Sequence, residues 1–134
     1  TVAAPARLQG QILDLNATPD ALPAMAATAC FATGTTRLIN VPNARIKETD
    51  RIAVMASELS RMGASITELP DGLVIEGGRG LSGTEVQGHD DHRVVMALAL
   101  AGLACQGTTT VDTAEAAAVT YPGFLELLGA DMIQ

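Results

Sequence analysis

Aromatic residues are nearly absent. The 134-residue chain has no tryptophan, one tyrosine (Tyr121) and two phenylalanines (Phe31 and Phe124). A core must therefore be built from Ala, Leu, Val, Ile and Met, and there is little for nucleic-acid bases to stack on. Positive charge is scarce as well. Eight Lys and Arg face 15 Asp and Glu, a net charge of −7. That balance speaks against nucleic-acid partners, whose phosphate backbone calls for a basic surface, and against an anionic membrane surface. Long apolar runs are missing: the longest, Val94 to Cys105, is too short to cross a bilayer as a helix. No charged stretch followed by an apolar run opens the chain, so no signal peptide is expected. The first residue is Thr1 rather than Met, which suggests a fragment or a processed product. Cysteine is limited to Cys30 and Cys105, both in Ala-rich stretches. Two buried free thiols in a reducing, cytoplasmic compartment are the expectation.

What is present is a foldable domain. Hydrophobic residues make up 48% and charged residues 17% of the chain, which excludes a disordered composition. The length is one domain's worth, enough to bury about two-thirds of the unfolded surface.

The sequence repeats itself. Pro19–Asp20 opens an Ala-rich run containing Met25, and Gly34-Thr-Thr follows it. Asp90–Asp91 opens a second apolar run containing Met96, and Gly107-Thr-Thr-Thr follows that one. Leu59-Ser-Arg-Met-Gly63-Ala then finds its counterpart in Leu125-Glu-Leu-Leu-Gly129-Ala. The offset between matching segments drifts along the chain, so the copies differ by insertions and deletions.

Local signals predict the elements. Strands are expected at Ile12–Leu15, Thr35–Asn40, Ser65–Leu69 and Leu73–Glu76, the last two joined by the turn Pro70–Asp71–Gly72. A helix is expected over the Ala run from Ala21, with Asp20 as its N-cap and Gly34 closing it. Ile52, Met55, Leu59 and Met62 form one helical stripe, on a helix starting near Glu48. This reads β-α-β-α-β-β. The second copy predicts a strand at Glu85–Gln87, a helix from Asp91 to Ala104, a strand at Thr108–Asp112, a helix at Pro122–Leu128 and a strand entered at Met132. The expected fold is α/β: repeated β-α-β-α-β-β units with helices packed on mixed sheets. One unit, residues 10–77, is complete, and the second, residues 84–134, is cut short.

Two segments concentrate chemistry. Asn43-Ala-Arg-Ile-Lys-Glu-Thr-Asp-Arg51 holds three of the eight basic residues, including the chain's one lysine, Lys47. Cations at a helix start oppose the macrodipole. They make sense if an anionic ligand visits the free N–H groups there; the alternative is a solvated face neutralised by Glu48 and Asp50. Gly88-His-Asp-Asp-His-Arg93 occupies the equivalent helix start. Its H-x-x-H spacing raises a metal, but no matching third and fourth ligands accompany it. Capping by Asp90 or Asp91, and anion binding by Arg93 supported by His92, are the stronger readings. Gly77-Gly-Arg-Gly80 lacks the phosphate-loop pattern and reads as a connection between the copies.

Together these segments resemble the signatures of the EPSP synthase family, the 3-phosphoshikimate 1-carboxyvinyltransferases. Pro19–Asp20, Gly34-Thr-Thr, Arg61-Met-Gly-Ala64 and Tyr121–Pro122 fall where that family would place them. The resemblance spans nearly the whole chain and corresponds to the C-terminal part of a two-domain enzyme whose active site lies in the cleft between domains. It implies transfer of the enolpyruvyl group of phosphoenolpyruvate to the 5-hydroxyl of shikimate 3-phosphate, with release of phosphate and no metal or organic cofactor. It further implies Asp20 as proton acceptor, Glu48 as proton donor and Lys47 beside the reacting hydroxyl. Asn43 would contact the shikimate phosphate, and Arg51 and Arg93 the phosphoenolpyruvate carboxylate. One position departs: Val119 stands where the family often carries a lysine. The partners expected are the two substrates and the N-terminal domain, without which the chain should be inactive. Two alternatives stand beside this reading. One is the related UDP-N-acetylglucosamine enolpyruvyltransferase, against which the Lys-Glu-Thr-Asp-Arg and Asp-Asp-His-Arg strings speak. The other is a non-catalytic binding or structural half-domain.

Overall fold

A computed structural model describes residues 3 and 7–129. Its first half runs β1 (Ile12–Asp14), α1 (Leu22–Ala29), β2 (Thr35–Ile39), α2 (Arg51–Arg61), β3 (Ser65–Leu69) and β4 (Gly72–Glu76). Its second half runs β5 (Glu85–Val86), α3 (His92–Ala104), β6 (Thr110–Val111) and α4 (Phe124–Leu127). Short 3-10 turns at Pro19–Ala21, Pro42–Ile46 and Ala114–Val119 precede α1, α2 and α4.

The first four strands form one sheet in the order β1-β2-β4-β3, with β1 and β2 parallel and the other pairs antiparallel. Alternation decides its faces. Thr36 and Leu38 of β2, and Leu73 and Ile75 of β4, turn inward, while Thr35 and Arg37 are exposed. That is the period-two pattern of a sheet covered on one side. The helices supply the cover. Ile52, Met55, Leu59 and Met62 are all buried, so the α2 stripe meets the core as its spacing predicts. Leu22 and Ala26 of α1 and Val94, Ala97, Leu98 and Ala101 of α3 join the same cluster. Small residues let α1 and α3 approach closely, which is how a core with almost no aromatic rings is filled.

The repeat is structural as well as sequential. β5 and β6 pair in parallel with Glu85 opposite Thr110 and Val86 opposite Val111. Ile12 opposite Arg37 and Leu13 opposite Leu38 is the same register in the first copy. Gly10 and Gly83 occupy equivalent points, where a side chain would overlap the Thr35 and Thr108 carbonyls. Only glycine permits that approach.

Several expectations shift. α2 begins at Arg51 rather than near Glu48, because the Asp50 carboxylate accepts the Ala53 amide at 3.1 Å and caps the helix there. Asp20 caps nothing. It lies inside a 3-10 turn, and α1 starts just beyond it with no side-chain cap. Gly34 does adopt left-handed geometry (φ 88°), but α1 has ended at Ala29, so the glycine launches β2 instead of closing the helix. The 3-10 turn at Ala114–Val119 is not legible in an alanine run that has no apolar stripe. Cys30 is buried and Cys105 only half-buried; both are free. Burial pushes the Cys30 thiol up to about 11. The strand expected at Met132 lies outside the described residues.

Candidate active site

Arg51 is the centre of the site. It is the first residue of α2, and its side chain is 1% exposed, yet it is a cation. Such a charge must be fully partnered. Nε donates to Asp91 Oδ2 at 2.8 Å and Nη2 to Asp91 Oδ1 at 3.1 Å, a two-pronged pair that matches the guanidinium's planar fork. Nη1 donates to Asp20 Oδ1 at 3.0 Å, and Nη2 also reaches Glu48 Oε2. Lys47 Nζ lies 3.5 Å from the same Asp20 oxygen. Lys47 and Arg51 therefore meet through Asp20, and Lys47 lies before the helix with an extended backbone (ψ −155°).

Asp91 has no exposed side-chain surface. Besides Arg51 it accepts the Thr49 hydroxyl at 3.0 Å and, as N-cap of α3, the Arg93 and Val94 amides at 2.9 and 3.4 Å. It thus caps one helix while holding the first residue of another. Asp20 and Asp91 open corresponding runs of the two repeats, and both grip Arg51. The duplicated fold delivers one carboxylate from each copy to a shared cation.

The electrostatics follow from this packing. Burial pushes Asp91 up, while the Arg51 guanidinium, through its hydrogen bond and its charge, pulls it down. The Thr49 hydroxyl and Arg93 amide help, and the carboxyl ends below its ordinary 3.8. Asp20 is also held low: its slight burial opposes ionisation, and the charges of Lys47, Arg51 and Arg93 outweigh that. Lys47 and Arg51 touch Asp20 directly, and the charge of Arg93 also reaches it. A carboxyl depressed by folding stabilises the fold above its unfolded pKa, and that contribution is lost as pH falls through the folded value. Wild-type urea midpoints are thus expected to fall below about pH 4, and Asp91→Asn should flatten that acid limb. An unchanged limb in Asp91→Asn would remove Asp91 from the account.

Arg93 differs from Arg51. Its Nε is buried and has no hydrogen-bond partner among the described residues. Asn43 is exposed on the Pro42–Ile46 turn, which packs against the turn carrying Asp20. Arg45 faces elsewhere. It bonds Asp50, Glu68 and the Leu69 and Pro70 carbonyls at 2.7–2.9 Å, and so ties this loop to the β3–β4 turn. Val119 is 79% exposed at the end of the third 3-10 turn. The two histidines part company: His89 approaches Glu58, while His92 lies beside Glu48 and Asp91. Glu48, Asp91 and His92 could offer three metal ligands, but both Asp91 oxygens already accept from Arg51, so a cation fills that place.

Sequence reasoning gives Asp91 only a capping role and does not single out Thr49 or Glu58. The signal for Asp91 lies in its repeat position opposite Asp20. Glu58 offers none: it is a buried acid on a helix whose other buried positions beyond Arg51 are apolar.

The fold defines the class: a duplicated α/β protein in which Lys47, Arg51, Asp20 and Asp91 meet in one cluster of cations and acids. The chain matches the family described as EPSP synthase (3-phosphoshikimate 1-carboxyvinyltransferase) over residues 1–128. It is 66% identical over 119 residues to the 3-phosphoshikimate 1-carboxyvinyltransferase of Ruminiclostridium cellulolyticum, covering 89% of this chain and 28% of that protein. It is 59% identical over 128 residues to the protein of the same name from Acetivibrio thermocellus, covering 93% and 30%. Among solved structures, an EPSP synthase from Acinetobacter baumannii superposes with a TM-score of 0.84 at 35% identity, over 92% of this chain and 30% of that one. This chain belongs to the EPSP synthase family and spans just under a third of the length of the curated relatives it matches. No helix among the described residues is long and apolar enough to cross a membrane.

Proposed function

We propose that this chain forms one wall of an active site that transfers the enolpyruvyl group of phosphoenolpyruvate to the 5-hydroxyl of shikimate 3-phosphate, releasing phosphate. In this reading it is part of one enolpyruvyl transferase domain, with residues 10–77 a whole repeat and 84–134 a shortened one. The rest of the relatives' length would supply the facing wall. The observation that carries the reading is the buried Nε of Arg93, without a partner among the described residues, next to a cluster of cations and acids. A bound carboxylate or phosphate would satisfy it.

The reaction needs a base for the hydroxyl, an acid for the methylene carbon, and cations for the ligands' charges. Asp20, held ionised by its neighbours, is the proton acceptor. Its partner Lys47 lies beside the attacking hydroxyl, and Asn43 contacts the acceptor's phosphate. Glu48 protonates the methylene carbon as the oxygen attacks, giving a tetrahedral adduct. Glu48, now a carboxylate, takes a proton back from the adduct's methyl group as the bond to phosphate breaks, which forms the carbon–carbon double bond of the enolpyruvyl ether and releases phosphate. Arg51 and Arg93 hold the carboxylate of phosphoenolpyruvate. Four hydrogen bonds already occupy Arg51. The ligand must therefore displace its half-exposed partners Asp20 and Glu48, while fully buried Asp91 stays. Ligand binding then frees both acid–base groups for the reaction.

By itself the chain should bind phosphoenolpyruvate weakly and turn nothing over. Each exposed ion pair contributes only about 0–1 kcal/mol, Val119 contributes no charge, and only a closed cleft would expel water and strengthen the contacts. Calorimetry on the isolated chain is expected to show millimolar affinity or weaker (~1 mM is about −4 kcal/mol), reduced further by salt. An assay after adding an N-terminal domain from a relative should restore activity with shikimate 3-phosphate and not with UDP-N-acetylglucosamine. Micromolar binding by the isolated chain, or turnover without a partner, would overturn the two-wall reading. Activity with the nucleotide sugar would move the chain to the related transferase.

A further inference from the structure

Glu58 is a buried carboxylate outside the chemistry just described, only 3% exposed. It stands two helical turns beyond Arg51 on the same side of α2. Both residues face one short segment, the loop Gln87–Asp91 between β5 and α3. At one end Arg51 grips the Asp91 carboxylate. At the other, Glu58 Oε1 accepts the Gln87 amide at 2.8 Å. Glu58 Oε2 lies 3.5 Å from His89 Nε2, and Oε1 lies 3.5 Å from the Arg61 guanidinium.

The loop between these grips is in an unfavourable conformation. His89 and Asp90 sit consecutively at φ 56° and 55°, left-handed geometry that non-glycine residues adopt at a cost. Such a backbone persists only where its surroundings over-determine it. Here they do: the Gly88 amide bonds the Asp112 carboxylate at 2.7 Å, the Asp90 amide bonds the Thr113 hydroxyl at 3.0 Å, and the Asp91 amide bonds the Gly88 carbonyl at 3.1 Å.

We propose that Glu58 is a positioning residue: with Arg51 it clamps the Gln87–Asp91 loop to α2 at two points, so that Asp91 and Arg93 are held in register with Arg51. The clamp fixes the loop in its strained form and sets where the Asp91 carboxylate meets the guanidinium. Glu58 itself touches no ligand. The proposal rests on the reading that Arg51, Asp91 and Arg93 form the anion site, but its test does not require ligand.

The test is hydrogen exchange and 15N NMR on the whole chain as wild type, Glu58→Gln and Glu58→Leu. In wild type, the Gln87 amide should exchange together with α2 interior amides such as those of Met55 and Leu59. Glu58→Leu should speed exchange at Gln87 and Asp91 by about tenfold or more, the loss expected for a charge-assisted bond. It should also shift the Arg51 Nε–H resonance while leaving Met55 and Leu59 slow. Glu58→Gln, which keeps an acceptor for Gln87, should restore the Gln87 protection. Uniform loosening of α2 and the loop, or an unmoved Arg51 resonance, would overturn the proposal. If Glu58→Leu does not fold, wild-type exchange decides: Gln87 exchanging like a free loop amide overturns it. A separate phosphoenolpyruvate titration reports on the anion site, so its failure would sink the functional reading and leave the clamp standing.

Discussion

Replacing Asp91 with alanine is expected to cost the fold about 3–5 kcal/mol, the range for breaking a buried ion pair by removing one member. Most of this comes from Arg51. Its guanidinium stays 1% exposed, so the loss of two hydrogen bonds is not repaired by water. Asp20 and Glu48 remain as partners, but they are about half-exposed and their attraction is screened. A second loss adds to the first, because Asp91 also caps α3, and cap removal costs about 0.5–2 kcal/mol. A domain of this size has only about 5–15 kcal/mol in total, so Asp91→Ala should fold marginally or not at all. Asp91→Asn separates the two contributions. It keeps an oxygen for the Arg93 amide while removing the charge opposite Arg51, and it should fall between wild type and Asp91→Ala. Urea midpoints of the three chains are the measurement. An Asp91→Ala loss under about 1 kcal/mol, the ordinary scale of a surface pair, would mean that Arg51 is not held as described.

Glu48→Gln is the second large effect, in a full-length protein carrying this segment. kcat should fall by roughly 10²–10⁴-fold, the usual contribution of a general acid, with small changes in KM for either substrate. Glutamine matches glutamate in shape and keeps an oxygen for the Arg51 Nη2 contact. The site's geometry should therefore survive while a group able to donate a proton is replaced by one that is not. An effect on kcat without a matching effect on KM identifies an interaction made in the transition state. At about 1.4 kcal/mol per tenfold, the expected loss corresponds to about 3–5 kcal/mol of transition-state stabilisation. A near-normal kcat would remove Glu48 from the mechanism. A raised KM with unchanged kcat would make it a binding residue.

The neighbouring cation Arg45 shows why the segment 43–51 could not be partitioned by spacing alone. Arg45, Lys47 and Arg51 are all cations and close in sequence. In the fold, Arg45 anchors the β3–β4 turn, Lys47 meets Asp20, and Arg51 is swallowed by the core. Such division of labour depends on which carboxylates arrive from distant parts of the chain, and local periodicity carries no record of that.

Much of the architecture was nonetheless written locally. The α2 stripe, the turn at Pro70–Gly72 and the alternation in β2 and β4 follow from side-chain size, period and turn chemistry. The repeat emerged from residue order, and the register of β5 with β6 reproduces that of β1 with β2. Helix starts were less legible, because a carboxylate near a helix start can cap it or leave it for a better partner. Asp50 and Asp91 cap, while Asp20 does not. Composition, period and motif spacing determined the fold class, the doubling and the two segments whose charges cluster. Only the tertiary structure decided that Asp20 and Asp91, one from each copy of the repeat, close on one buried arginine. A charge removed from water must be met by opposite charges from wherever the packed chain can bring them, and that requirement acts through space.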